Sequence, residues 1–179
     1  MMTKKLIFAS LLLVLGKVGY SQAYYSGVKL ISARVGLLST LARGAEKSTV
    51  LPYMVNLEYG VSEEVSVGLF GGYTQTSSER DGLKYIYDYT FFGANAAYHF
   101  ETIEKLDVYA GLNFGYNIGK GRVEVPVSYM GGPVTANKQG GILLGGFAGA
   151  RYYPIENLGI GLEVGSSIAY LQTGLTVKF

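Results

Sequence analysis

Residues 106–118 read LDVYAGLNFGYNI, and apolar side chains occupy every second position of this stretch. The alternate positions hold Asp, Tyr, Gly or Asn. A period of two is the pattern of a β-strand with one apolar face. The apolar face of the predicted strand comprises Leu106, Val108, Ala110, Leu112, Phe114, Tyr116 and Ile118.

The same alternation recurs along the rest of the chain. After residue 22, no segment carries an apolar stripe with the 3.6-residue period of a helix over ten or more positions. The sequence therefore predicts eight strands and no helix in this part of the chain. The seven further strands are predicted at 28–37, 53–61, 65–74, 85–100, 142–153, 158–165 and 168–179.

The predicted connections alternate in length. Segments 62–64, 101–105 and 154–157 are short, whereas segments 39–49, 75–84 and 119–141 between them are longer. The seventh connection, near Ser166 and Ser167, departs from this order because it is short. An even number of strands with short turns at one end and long loops at the other is typical of outer-membrane barrels. The fold prediction is an all-β, eight-stranded antiparallel up-and-down transmembrane β-barrel.

The composition of the two strand faces indicates which one meets lipid. The less apolar face holds mainly Gly, Ser, Asn and isolated charges, which suit a narrow interior better than a solvent-exposed wall. The apolar face carries aromatic residues at both strand ends, as membrane interfaces favour. The orientation of strands 28–37 and 142–153 stays open at this stage. The two predicted aromatic girdles are Tyr59, Tyr98, Phe100, Tyr152 and Phe179 beside the short turns, and Tyr53, Tyr73, Phe92 and Tyr116 at the opposite end.

The N-terminus has the composition of a secretion signal. Lys4 and Lys5 precede an apolar run at 6–15, and Gly19-Tyr20-Ser21 forms a small-x-small cleavage sequence. We expect residues 1–21 to be a cleaved signal peptide and residues 22–179 to form the barrel.

The mature chain would hold 12 basic and 13 acidic residues, so no basic excess indicates nucleic-acid binding. The absence of Cys excludes disulfides and thiolate metal sites.

The C-terminal residue Phe179, preceded by Val177 and Leu175 in alternation, resembles the C-terminal strand signal of bacterial outer-membrane barrels. With eight strands and a signal peptide, the chain resembles the small OmpX/OmpA-like family of outer-membrane β-barrels. That resemblance implies a location in the outer membrane of a Gram-negative bacterium, contact with its lipid, insertion by the barrel-assembly machinery and no wide pore. We expect a monomer.

The predicted interior contains seven ionisable side chains. Three are positive and three are negative when the histidine is left aside, and charges in a narrow interior need partners. We expect His99 to lie opposite Asp107 across a turn and Arg151 to lie diagonal to Glu163. The set would serve as a structural polar plug or, alternatively, as a gate for small ions. Its members are Arg34, Glu58, His99, Asp107, Arg151, Glu163 and Lys178.

Catalytic and cofactor chemistry finds little support. Some small barrels that resemble this chain are lipid-A deacylases or palmitoyltransferases, which use a His with a nearby Ser and an acid. The only histidine here, His99, has Tyr98 and Phe100 as sequence neighbours and belongs to the short-turn end. We therefore expect no Ser-His-Asp site at the outer leaflet, no enzyme activity, no cofactor and no metal site.

The longest loop carries the best candidates for a surface contact. Val125, Pro126, Tyr129 and Pro133 lie in an alternating stretch around a Gly-Gly-Pro turn, which favours a protruding hairpin. Its edge could pair with an extracellular protein, although Pro126 limits such pairing, and a solvated loop is the alternative. The predicted function is an integral outer-membrane protein with a plugged lumen and a structural or surface-interaction role. A narrow porin-like channel is the alternative.

Overall fold

A computed structural model of the chain describes residues 23–42, 46–80, 82–100, 104–124 and 139–179. Eight antiparallel strands pair in chain order, and β1 pairs with β8 to close the barrel, so the predicted fold class is confirmed. Among the described residues, no helix is long and apolar enough to cross a membrane. The strands are β1 (Lys29–Gly36), β2 (Lys47–Gly60), β3 (Val65–Arg80), β4 (Leu83–His99), β5 (Leu106–Glu124), β6 (Gln139–Ile155), β7 (Leu158–Gly165) and β8 (Leu171–Lys178).

Burial alternates along the strands, as the sequence predicts. In β1, positions with the parity of Arg34 are buried and positions with the parity of Ile31 are exposed. In β6, Arg151 is buried while Tyr152 is exposed. These two strands were the ones whose orientation the sequence left open, and in both the charged residue points into the barrel.

The outer surface is a band of exposed apolar side chains. Ile142 and Leu144 on β6 are its most exposed large members, at 71% and 69%. Eight of the nine residues assigned to the aromatic girdles are exposed, whereas Tyr73 is half-buried. The Tyr73 hydroxyl donates a hydrogen bond to Asp88, which explains its lower exposure.

The barrel wall is taller on one side than the sequence predicts. Segment 75–84 was expected to be a loop, but β3 continues to Arg80, which pairs with Leu83 at the start of β4. The turn requires Gly82, whose φ of 74° lies in the left-handed region. β5 likewise continues to Glu124, beyond the predicted end at Ile118. The loop candidates Val125, Pro126, Tyr129 and Pro133 lie outside the described residues.

The β7–β8 connection leaves the wall and turns into the lumen. β8 begins at Leu171 rather than at the predicted Ile168, and Ile168 is buried inside the barrel. Gly145 allows this turn because a Cβ there would lie 2.8 Å from the backbone nitrogen of Ser167. Ser167 in turn accepts a hydrogen bond from Asn113 in the interior.

Residues 23–28, here called the N-terminal strap, fold into the opposite mouth, beside the short turns. Tyr24 and Val28 are buried and pack together with Leu30. The strap bends at Gly27, whose φ is 83° and whose N–H donates to the Gly60 carbonyl. Segments outside the strands therefore contribute buried side chains at both ends of the barrel.

Candidate functional site in the barrel interior

The barrel interior holds the charged residues that the sequence singles out. Each of the seven predicted interior residues is buried in the structure. The ion pairs divide six of them into two groups, and the seventh, a lysine, lies over two aromatic rings. The full set is Arg34, Glu58, His99, Asp107, Arg151, Glu163 and Lys178.

The first group is built around Arg151, which is 1% exposed. Its guanidinium donates two hydrogen bonds to Glu58, at 3.1 and 2.7 Å, and lies 3.5 Å from Asp107. Arg151 also lies over the Tyr109 ring, 4.2 Å from the ring centroid. A planar guanidinium suits this position because it can bind two carboxylates and stack on an aromatic face at the same time.

His99 joins the same group from β4. Its Nδ1 lies 2.7 Å from Asp107 Oδ1, so the predicted contact between these residues is present in the structure. The register behind it differs from the expectation, because His99 pairs with Tyr109 in the ladder and reaches Asp107 diagonally. On its other side, His99 Nε2 lies 2.9 Å from Ser66 Oγ and 3.5 Å from Glu58.

Ser66, His99 and Asp107 thus have the connectivity of a Ser-His-Asp triad, which the sequence alone did not reveal. The serine comes from β3, 33 residues before the histidine, so adjacency in sequence could not find it. Ser66 is only 1% exposed and Tyr24 stacks on the His99 ring. A nucleophile needs room for a substrate carbonyl beside it. The arrangement therefore serves as a buried hydrogen-bond chain in this structure.

The second ion-pair group corrects a predicted partner. Arg151 was expected to pair with Glu163, but Glu163 binds Arg34 at 2.5 Å, while Arg151 binds Glu58. Tyr109 connects the two groups, since its hydroxyl donates a hydrogen bond to Glu163 at 3.2 Å and the Arg151 guanidinium lies over its ring. The diagonal position itself is as predicted, since Arg151 and Glu163 lie two residues out of register in the β6–β7 ladder. The expected ion pair is not formed, because Arg34 from β1 binds Glu163 and Glu58 from β2 binds Arg151.

Lys178 occupies a third position, near the short-turn mouth. Its ammonium lies 5.0 Å from the centroid of the Tyr153 ring and 5.7 Å from that of Tyr25. Tyr25 belongs to the N-terminal strap, so the strap contacts the charged interior through two of its aromatic rings. Cation–π contacts are strongest where water is excluded, as it is around a residue that is 2% exposed.

The interior becomes apolar toward the loop mouth. Ile168, from the inward-turning β7–β8 connection, packs there with Leu41 from the segment after β1. Both pack against side chains of the strands that point into the barrel. The complete cluster is Leu41, Met54, Phe70, Tyr89, Phe91, Leu143 and Ile168.

A separate polar cluster lies on the outer wall, beyond the upper girdle. Asp88 accepts hydrogen bonds from Tyr73 and Gln75 and forms an ion pair with Arg122. Partial burial raises the pKa of the Asp88 carboxyl. The hydrogen-bond donors and the nearby positive charges together lower it by more than burial raises it, so the pKa lies below its usual range. The cluster fastens together the parts of β3, β4 and β5 that extend past the membrane band.

Within the described parts of the chain, no group of three His, Cys, Asp or Glu side chains could hold a metal ion. The interior charges instead bind one another, and their distances are those of ion pairs and hydrogen bonds.

Comparisons with known proteins show the fold. No protein-family profile matches the sequence, and no curated protein matches it. The structure is similar to that of OprG from Pseudomonas aeruginosa, an outer membrane protein, with a TM-score of 0.56, 14% identity and coverage of 88% of this chain and 98% of OprG. The N-terminal β-barrel domain of OprF from the same organism gives a TM-score of 0.55, 14% identity and coverage of 87% and 99%.

A third similar structure is a transmembrane β-barrel designed de novo. Its TM-score is 0.54, with 15% identity and coverage of 88% of this chain and 100% of the designed chain. All three are β-barrels, so the comparisons agree with the closed antiparallel barrel fold of this chain.

Proposed function

We propose that this protein is an integral outer-membrane barrel whose lumen is closed, and that it stabilises the membrane or meets other molecules through its loops. The observation that supports the proposal is the presence of buried, mutually contacting side chains in both halves of the interior. Ion pairs and hydrogen bonds occupy the half beside the short turns, and an apolar cluster occupies the half beside the loops.

The charge pairing supports a plug more than a channel. A conducting lumen needs ion sites that are free enough to exchange, whereas each interior carboxylate here already contacts a cation. Removing one partner would leave a buried charge without compensation, which costs about 3–5 kcal/mol. The group is therefore better suited to fixing the relative positions of β1, β2, β5, β6 and β7.

A narrow channel remains the second candidate because Tyr109 contacts both ion-pair groups. Arg151 lies over the ring of Tyr109 and Glu163 accepts a hydrogen bond from its hydroxyl, so a rearrangement of one group would affect the other. Such a channel would also require the N-terminal strap to leave one mouth and the Ile168 segment to leave the other.

The proposed location is tested by expressing the whole chain in a Gram-negative host and separating its membranes. We expect the protein in the outer-membrane fraction, with a gel mobility that changes on boiling because a folded barrel resists detergent. Sequencing the N-terminus of that material should begin at Gln22. Recovery of soluble protein in the periplasm would contradict the proposal.

A further inference from the structure

On the outer wall, part of β6 pairs with a described strand on one side only. The β6–β7 pair nearest the loop mouth is Phe147 with Gly165, and beyond it the Ser166 N–H donates to the Gly146 carbonyl. Above this point the β7–β8 connection turns into the lumen, whereas β6 continues to Gln139. Among the described residues, the stretch of β6 above Gly146 pairs with β5 alone.

The backbone groups on this edge can be assigned from the ladder. The Gly146 carbonyl points toward β7, and residues two apart on a strand direct their N–H and C=O groups to the same side. Ile142 and Leu144 therefore direct both groups away from β5. These four groups, with the two side chains, are called the β6 edge below.

The depth of the β6 edge follows from its neighbours on β5. Ile142 pairs with Tyr116 of the upper aromatic girdle, and Leu144 pairs with Phe114 below it. The edge thus lies where headgroups meet acyl chains. Ile142 and Leu144 are also the most exposed large apolar residues in the described chain, at 71% and 69%.

Open backbone groups at this depth require a partner, because lipid tails offer no hydrogen bonds. A second copy of the chain is a poor fit. Copies inserted in the same direction would present their β6 strands parallel to each other. Two-fold symmetry would then place the N–H groups of one copy opposite the N–H groups of the other, so they could not form hydrogen bonds. A partner is needed that carries donors, acceptors and an apolar chain together.

We propose that the β6 edge binds an acyl lipid bearing amide and hydroxyl groups next to its headgroup, of the kind found in lipid A. The amide and hydroxyl would exchange hydrogen bonds with the backbone of Ile142 and Leu144, while the acyl chain packs on their side chains. The inference rests on the proposed outer-membrane location, since that is where such a lipid occurs.

Proline provides a sharp test, because the Leu144 N–H points away from β5. Leu144→Pro removes that donor without removing a β4–β5–β6 ladder bond, and proline is tolerated on strand edges. Leu144→Val is the matched control, since it also shortens the side chain but keeps the N–H. Both variants should keep the heat-shifted gel mobility of the folded barrel.

The measurement is native mass spectrometry of barrels released from nanodiscs of phosphatidylcholine containing either lipid A or phosphatidylglycerol. We expect lipid A to stay bound to the wild type and to Leu144→Val, with about fivefold less on Leu144→Pro, the effect of one lost hydrogen bond. Equal retention by Leu144→Pro, or equal retention of phosphatidylglycerol, would overturn the proposal.

A photo-crosslinker distinguishes the other possible occupants. A benzophenone side chain in place of Ile142 should react with lipid A in the same nanodiscs. Reaction with a second copy or with another segment of the same chain would overturn the proposal. Because refolded protein is used, this result is independent of the cell fractionation, and a failure of one test is distinguishable from a failure of the other.

Discussion

Tyr24 lies face to face with His99, with ring centroids 3.5 Å apart and ring planes 3° apart. The Tyr24 hydroxyl also donates to the Val65 carbonyl at 2.7 Å. A residue of the N-terminal strap is thereby attached both to the barrel wall and to the histidine of the ion network. The seal at the short-turn mouth and the charged interior consequently form one structure.

Gly60 leaves the space that the strap occupies, so Gly60→Ala should displace it. A Cβ there would lie 2.6 Å from the Tyr25 carbonyl oxygen and 3.0 Å from the Tyr24 hydroxyl. We expect faster amide hydrogen exchange at residues 24–28 and a loss of about 1–3 kcal/mol of unfolding free energy. Gly161→Ala is the control, since its Cβ would meet Arg151 only at 3.5 Å. Equal exchange in the two variants would refute the packing described here.

The ion-pair assignment predicts which charges are energetically coupled. Arg34→Met and Glu163→Gln should show a coupling energy of about 2 kcal/mol in a double-mutant cycle, because the side chains form a buried pair. Arg151→Met with Glu163→Gln should show a smaller coupling energy than this, because these side chains are linked through Tyr109 and do not form an ion pair with each other. Urea unfolding of the barrel in lipid vesicles measures both cycles. The reverse ranking would restore the pairing of Arg151 with Glu163.

The Ser66–His99–Asp107 chain should contribute to stability rather than to hydrolysis. Ser66→Ala removes one buried hydrogen bond to His99 and should lower the unfolding free energy by about 1 kcal/mol. Its hydrolysis of a p-nitrophenyl ester should equal that of the wild type, and a fluorophosphonate probe should label neither protein. Serine-dependent labelling of the wild type would show a nucleophile that the buried position does not predict.

The Asp88 cluster predicts a local response to acid. Its carboxyl has a lowered pKa in the folded protein, so its contribution is present above the unfolded value of about 3.9 and is lost as the pH falls through the folded value. We expect the amide signals of Tyr73 and Gln75 to shift below pH 4 in the wild type. They should not shift in Asp88→Asn. Glu124→Gln serves as the control, because Glu124 is exposed and forms an ion pair with Lys84 rather than with the Asp88 cluster.

The sequence predicts the strand count and the charged interior well, because both follow from the two-residue period. Each charge in a strand flanked by lipid-facing residues must point into the barrel, which places Glu58 and Asp107 correctly without any contact information. The partners were harder to assign. The contact of Arg34 with Glu163 joins β1 to β7, and no local pattern specifies which side chains meet across a lumen.

Two further differences have local causes. Between β3 and β4 the sequence contains Asp81-Gly82, a pair that favours a tight turn. The flanking residues are mostly polar, so the hydrophobic pattern predicts a loop there rather than two strands. The strap was not predicted because residues 23–28 carry no strand or helix pattern. Gly27 acts through its positive φ and Gly60 through its close approach to the strap, and only the three-dimensional structure reveals either role.

Conductance across a planar bilayer tests the closed lumen most directly. If the lumen is closed as proposed, residues 22–179, refolded and checked by heat-shifted mobility, should give no steady current; buried side chains of the strap and of the Ile168 segment lie at its two ends. Tyr24→Ala should also remain closed, since the Ile168 segment and both ion-pair groups stay in place. Reproducible single-channel steps from the wild-type protein would contradict the account and favour the narrow channel.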